Sequence, residues 1–97
     1  MKHPYIPVDF NEMLEPDLVL LSKTDIKIDA SGAVVEFREG LHVQIYEDDI
    51  GINGEPERLV ADGVVERNRS DRDWASAAKW CCRIDARGIR HEPAAAG

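Results

Sequence analysis

Leu41-His42-Val43-Gln44-Ile45-Tyr46-Glu47 is the stretch that decides the fold class. Leu41, Val43 and Ile45 alternate with His42, Gln44 and Tyr46. Successive side chains of an extended strand point to opposite faces, so this period of two marks a strand with one face buried. Just before it, Glu39-Gly40 separates it from an extended run, Ala33 to Arg38. A two-residue connection between two such runs predicts a hairpin. Further upstream, Asp29-Ala30-Ser31-Gly32 is a turn cluster, and Ile26 and Ile28 alternate with Asp25, Lys27 and Asp29. Leu18 to Leu21 is a short apolar run.

Downstream, Asp48 to Glu57 contains Gly51, Asn53-Gly54 and Pro56 and reads as a long acidic loop. Arg58 to Arg67 is extended, with Asp62-Gly63 interrupting its apolar pattern, which predicts a bulge or a tight turn there. Asn68 to Asp73 is a polar loop. From Trp74 to Asp85 the chain alternates again. Trp74, Ser76, Ala78, Trp80, Cys82 and Ile84 fall on the expected core face, and Cys81 falls on the outer one. The alanines there leave a helix over 73–79 open as an alternative. Asp85 to Gly88 turns the chain into a last strand, Ile89 to Glu92.

At the start, Pro4 and Pro7 favour extended backbone. Asp9 to Glu15 suits a short helical turn, with Asp9 as N-cap, Glu12 three residues on, and Pro16 ending it. Short strands with turn signals about every eight to twelve residues predict an all-β, mainly antiparallel fold, drawn as a small SH3-like barrel of five to six strands. One domain over 1–92, an extended arm over 1–16 and an unstructured tail over 93–97 complete the expectation.

The chain has 97 residues, 43% hydrophobic and 32% charged, which suits one globular domain and excludes collagenous or wholly disordered chains. The longest aliphatic run is far short of a membrane span, so no membrane partner is expected. Adjacent Cys81 and Cys82 make no disulfide framework, and no apolar leader opens the chain. A cytoplasmic location is the expectation. The net charge of −7 disfavours a generally basic nucleic-acid binder. That charge is uneven. Residues 1–66 hold 15 acidic and 5 basic side chains, a balance of −10, while residues 67–97 hold 4 acidic and 7 basic, a balance of +3.

Motifs that carry chemistry are few. The cysteines and His42 and His91 lack the paired spacing of a zinc site, and neighbours along a strand point apart. Asp49 to Val60 matches an EF-hand loop at its first, fifth and sixth positions but fails at the third and twelfth. No Gly-x-Ser-x-Gly elbow is present, and Ser22-Lys23-Thr24 has no glycine ahead of it to make a phosphate loop. No catalytic residue, metal or cofactor is therefore assigned. The leading expectation is a non-catalytic protein-interaction module that forms a homodimer. Its surface would be His42, Gln44 and Tyr46, with Val34 and Val60 also outward, unless the N-terminal arm covers that face with Tyr5, Ile6 and Phe10. One alternative is RNA or single-stranded DNA binding through Arg67, Arg69, Arg72 and Arg90, interleaved with Trp74 and Trp80. The other is a small enzyme using His42 or His91, which requires them to meet Cys81 or each other.

Overall fold

The computed structural model describes residues 3–51 and 53–93. Among the described residues nine strands succeed one another: β1 (Tyr5–Pro7), β2 (Met13–Glu15), β3 (Leu18–Ser22), β4 (Ile26–Ile28), β5 (Val34–Glu36), β6 (His42–Ile50), β7 (Pro56–Arg67), β8 (Trp80–Ile84) and β9 (Arg90–Pro93). One turn of 3-10 helix, Asp73–Ala75, lies between β7 and β8. The chain is all-β and mainly antiparallel, as the alternation predicts, with more and shorter strands than the turn signals suggest. Seven strands form one sheet, in the order β1-β6-β7-β8-β3-β2 with β9 also on β7, and β4 and β5 form a separate two-stranded ribbon. That order is an open path, without a pairing of β1 to β2 among the described residues. Of the tail expected at 93–97, Pro93 ends β9 and the rest lies outside the described residues.

β6, the strand of the 41–47 alternation, lies one place in from the β1 edge of this sheet. β6 and β7 pair without a register shift from His42↔Val64 to Ile50↔Pro56. The acidic segment after Glu47 is therefore strand rather than loop, and the connection shrinks to 51–55. Asp48 faces Arg58 and bonds its guanidinium at 2.8 Å, which offsets the charge that made the segment look like loop. Gly54, at φ +78°, makes the reversal.

Asp62-Gly63 makes neither bulge nor turn, since β7 runs straight through it. Gly63 pairs with Val43 on one side and Ile84 on the other. A glycine is needed for space: a Cβ here would run into the carbonyl oxygen of Arg83 and Sγ of Cys82. A glycine in a strand marks a close backbone approach as readily as a bend.

Two further expectations are corrected. β5 pairs with β4, not with β6. The Asp29 carboxylate accepts from the Ser31 N–H at 2.9 Å, the Ser31 hydroxyl at 2.6 Å and the Ala33 N–H at 3.0 Å, so the local hairpin closes first. Glu39-Gly40 instead carries the chain from ribbon to sheet. At the N-terminus, Asp9 makes a single turn, accepting from the Asn11 N–H at its side chain (2.8 Å) and from the Glu12 N–H at its carbonyl (3.0 Å). The Leu20 N–H then bonds the Glu12 carbonyl at 3.1 Å, and Met13–Glu15 becomes strand β2 rather than helix.

Both faces of the sheet are partly covered. The main core joins Ile6, Val19, Val43, Ile45, Val65, Trp80 and Cys82 with Val35 and Phe37 of the ribbon side. A second core lies on the opposite face, from Leu14, Leu18, Leu20, Ala75 and Cys81. This second core overturns the outward placement of Cys81. It also explains why β3 is apolar without alternation, because it is buried on both sides. Residues 74–79 are neither strand nor a full helix. The Asn68 amide donates to the carbonyls of Ala75 and Ala78, each at 2.8 Å, and pins them as a loop. Trp74 consequently stands 53% exposed instead of lining the core, while Trp80 is buried.

The ribbon is fastened at Asp25. Its carboxylate accepts from the Lys79 ammonium and the Trp80 indole N–H, each at 2.9 Å. Lys79 first and Trp80 second hold that carboxyl below the usual carboxylate range.

Candidate functional site

Alternation along β6 sends Val43 and Ile45 into the main core and His42, Gln44 and Tyr46 to the opposite face. β1 runs parallel beside β6 with Tyr5 opposite Gln44, so Tyr5 shares that outer face, while its neighbour Ile6 is buried in the core. The rings of Tyr5 and Tyr46 lie 4.3 Å apart with a tilt of 34°. The Arg58 guanidinium, from β7, sits 4.4 Å from the centre of the Tyr46 ring and 5.7 Å from that of Tyr5. Tyr5 first and Asp48 second raise the pKa of Arg58 further above its already high ordinary value. The imidazoles of His3 and His42 stack at 5.4 Å.

Val60, opposite Tyr46, is fully buried rather than outward. Val34 is outward but elsewhere, on the ribbon, 69% exposed beside Ile26 and Ile28 at 53% and 62%. The three predicted surface residues therefore do come together, and Tyr5, His3 and Arg58 join them. The arm does not lie over the face as the alternative reading held: β1 pairs beside β6, Ile6 and Phe10 pack on the main core, and only Tyr5 adds an aromatic ring to the outer face. Arg58 and His3 were missed because only the strand register brings them in.

Most of the charge on this face is paired, with the exposed Glu92 opposite Arg58 as one further acid. Arg58 pairs with Asp48 at 2.8 Å, Arg90 with Asp62 at 2.8 Å, and Arg87 with both Asp62 and Asp85 at 2.5 and 3.2 Å. Three arginines thus meet three aspartates in a chain of net charge −7.

The predicted basic set divides. Arg67, Arg69 and Arg72 line one cleft of about 320 Å³ together with Arg83, Glu15 and Glu66. Arg90 is not among them, being bonded to Asp62 from β9. Within the cleft Arg69 is paired with Glu39 at 2.8 Å, and Arg83 reaches Glu15, Asp17 and Glu66 at 3.1, 2.8 and 3.0 Å. Arg67 lies 4.9 Å over the buried Trp80 ring.

The catalytic alternative finds its residues apart. His91 bonds Glu57 at 2.7 Å on β9, His42 stacks on His3, and Cys81 is buried on β8 with β7 between it and β6. Burial pushes the Cys81 thiol up to about 11 and that of Cys82 up to about 12. Such thiols are poor nucleophiles at neutral pH. Among the described residues, no three His, Cys, Asp or Glu side chains gather as a metal site, and no helix is long and apolar enough to cross a membrane.

Comparison with protein-family models, curated proteins and solved structures finds no match for this chain.

Proposed function

We propose that the protein is a non-catalytic interaction module that pairs with a second copy of itself through the outer face of β1, β6 and β7. The stack of Tyr5, Tyr46 and Arg58 on a solvent-facing sheet carries this reading. Tyrosine and arginine offer large amphipathic contact areas and dominate the energetic centres of interfaces. A two-fold interface sets a patch against itself, so a net charge there would repel its own copy. The ion pairs within this face hold most of its charge, with the exposed Glu92 as one further acid, while most of the chain's acid lies elsewhere. The ribbon face with Ile26, Ile28 and Val34 is more apolar, but Asp29 and Glu36, which have no ion pair among the described residues, flank it and would meet their own copies. Two free, buried cysteines suit a reducing compartment, and we place the protein in the cytoplasm.

Size-exclusion chromatography with light scattering tests the reading. The full chain should run at twice its monomer mass at low and high salt, and Tyr46→Ala should return it to monomer mass with an unchanged circular-dichroism spectrum. A monomer at both salts overturns the proposal. A dimer that survives Tyr46→Ala but is lost in Val34→Asp moves the contact to the ribbon and overturns the choice of face.

A second reading, single-stranded nucleic acid, is favoured by one observation: Arg67, Arg69 and Arg72 line a common cleft. Titration with a labelled oligonucleotide at low salt tests it, and no binding there ends it.

A further inference from the structure

A cleft of about 580 Å³ lies apart from the aromatic face, where the segment after β1, the β3–β4 connection and the loop around Asp73–Ala75 meet. That volume is in the range of small-molecule sites. Leu20 and Leu21 supply apolar lining, and the half-exposed Trp74 ring stands at its edge. Lys27 enters it from β4.

Lys27 is the unusual member. It sits on the ribbon face that carries Val35 toward the core, and it is half-buried. Its ammonium donates to the Pro7 carbonyl at 3.3 Å, and among the described residues no carboxylate lies within ion-pair distance of it. Arg58, Arg69, Lys79, Arg83, Arg87 and Arg90 all have carboxylate partners. Burial lowers the pKa of Lys27, the sign of an ammonium that has lost water without gaining a counter-ion. The hydroxyls nearby are occupied: Ser22 donates to the Thr24 carbonyl at 2.8 Å and Thr24 to the Ile26 carbonyl at 2.7 Å. Lys23, also in the lining, is exposed to water, so Lys27 is the half-buried ammonium with capacity to spare.

Lys23 and Lys27 share the lining with Asp9 and Glu12, so its formal charges balance. A multiply charged phosphate would meet those two acids, whereas a single carboxylate supplies the Lys27 ammonium with a partner and adds only one charge to the site. We infer that this cleft binds a small monocarboxylate with a flat apolar body, its carboxylate on the Lys27 ammonium and its body against Trp74, Leu20 and Leu21. Ring stacking and a charge-assisted hydrogen bond are the two recognition elements. The site is separate from the proposed dimer face and does not depend on it.

The test titrates the ¹⁵N-labelled full chain with 2-naphthoate and with its neutral counterpart 2-naphthamide. Naphthoate should move the Trp74 indole and the Ser22, Lys27 and Ala77 amide signals to saturation, while the Trp80 indole, held by Asp25, moves little. Naphthamide should bind about tenfold more weakly, the change that one charge-assisted hydrogen bond carries. Lys27→Gln should show the same loss, and the amide comparison reads the charge without any variant. Equal affinities for the two compounds overturn the inference, as does the absence of saturable shifts at these residues. Shifts confined to Ile26, Ile28 and Val34 also overturn it, because they report adsorption to the exposed ribbon.

Discussion

Replacing Gly63 by Ala tests the closest approach within the sheet. Gly63 lies inside β7 and is not among the glycines with positive φ, so its backbone accepts an alanine. On that ground alone the change would stabilise by about 0.4–1 kcal/mol, because it restricts the unfolded chain. The new Cβ, however, would run into the Arg83 carbonyl oxygen and Cys82 Sγ, with the Arg83 carbonyl carbon at 3.0 Å. Two of these three atoms are backbone of β8, which pairs with β7 from Gly63↔Ile84 to Arg67↔Trp80, so relief requires the strands to separate. Overpacking costs about 1–3 kcal/mol, and a backbone obstacle selects the upper end. The net expectation is a destabilisation of about 2 kcal/mol, which lowers Tm by roughly 8–16 °C in a domain of this size. Thermal and urea unfolding followed by circular dichroism measures it. Gly51→Ala is the control: its Cβ would meet the end of the Glu57 side chain, which can swing aside, so a change within about 0.5 kcal/mol is expected. Cys82→Ala in the Gly63→Ala background should recover only part of the loss, since the Arg83 carbonyl stays. A Gly63→Ala protein as stable as the parent would refute the close packing of β7 on β8.

Three other outcomes follow from the same contacts. Asp25 has a pKa below its ordinary 3.8 in the folded state, so its contribution is present above pH 3.8 and is lost as pH falls through the folded value. Urea midpoints should therefore drop on acidification below 3.8, and Asp25→Asn should flatten that part of the profile. Cys81 and Cys82 should resist a thiol-specific disulfide reagent at neutral pH until urea unfolds the chain, and rapid labelling of the native protein would contradict their burial. Arg83→Ala should cost about 1 kcal/mol at low salt and less at high salt, because its partners Glu15, Asp17 and Glu66 are partly solvated.

What the sequence disclosed was whatever depends on neighbours along the chain. The alternation at 41–47 is enough to set β6, its buried side and the outward row His42, Gln44 and Tyr46. The Asp29 turn is likewise legible, because its carboxylate bonds residues two and four places on. What stayed hidden depends on distant partners. Asp48 looks like loop until Arg58 is known to face it. Gly63 looks like a break until β8 is known to press on it. Cys81 looks outward until Leu14, Leu18 and Leu20 supply a second core. The aromatic face was visible only in its β6 row, because Tyr5 and Arg58 arrive from two other strands and His3 from the segment before β1. Lys27 gave no signal at all, since its lack of an ion pair is a property of the folded arrangement.

The parallel strand β1 has a consequence in time. β6 and β7 are joined by 51–55 and zip together from that end, whereas β1 must close the chain from Tyr5 to Gln44 before its first bond forms. Closing the longer loop carries the larger entropic penalty. β1 has only three residues with which to offset it, two of them flanking the buried Ile6. The strand that stands first along the chain is then seated after the β6–β7 hairpin. Tyr5 is carried by that strand, so the aromatic face is completed only after β6 and β7 have paired.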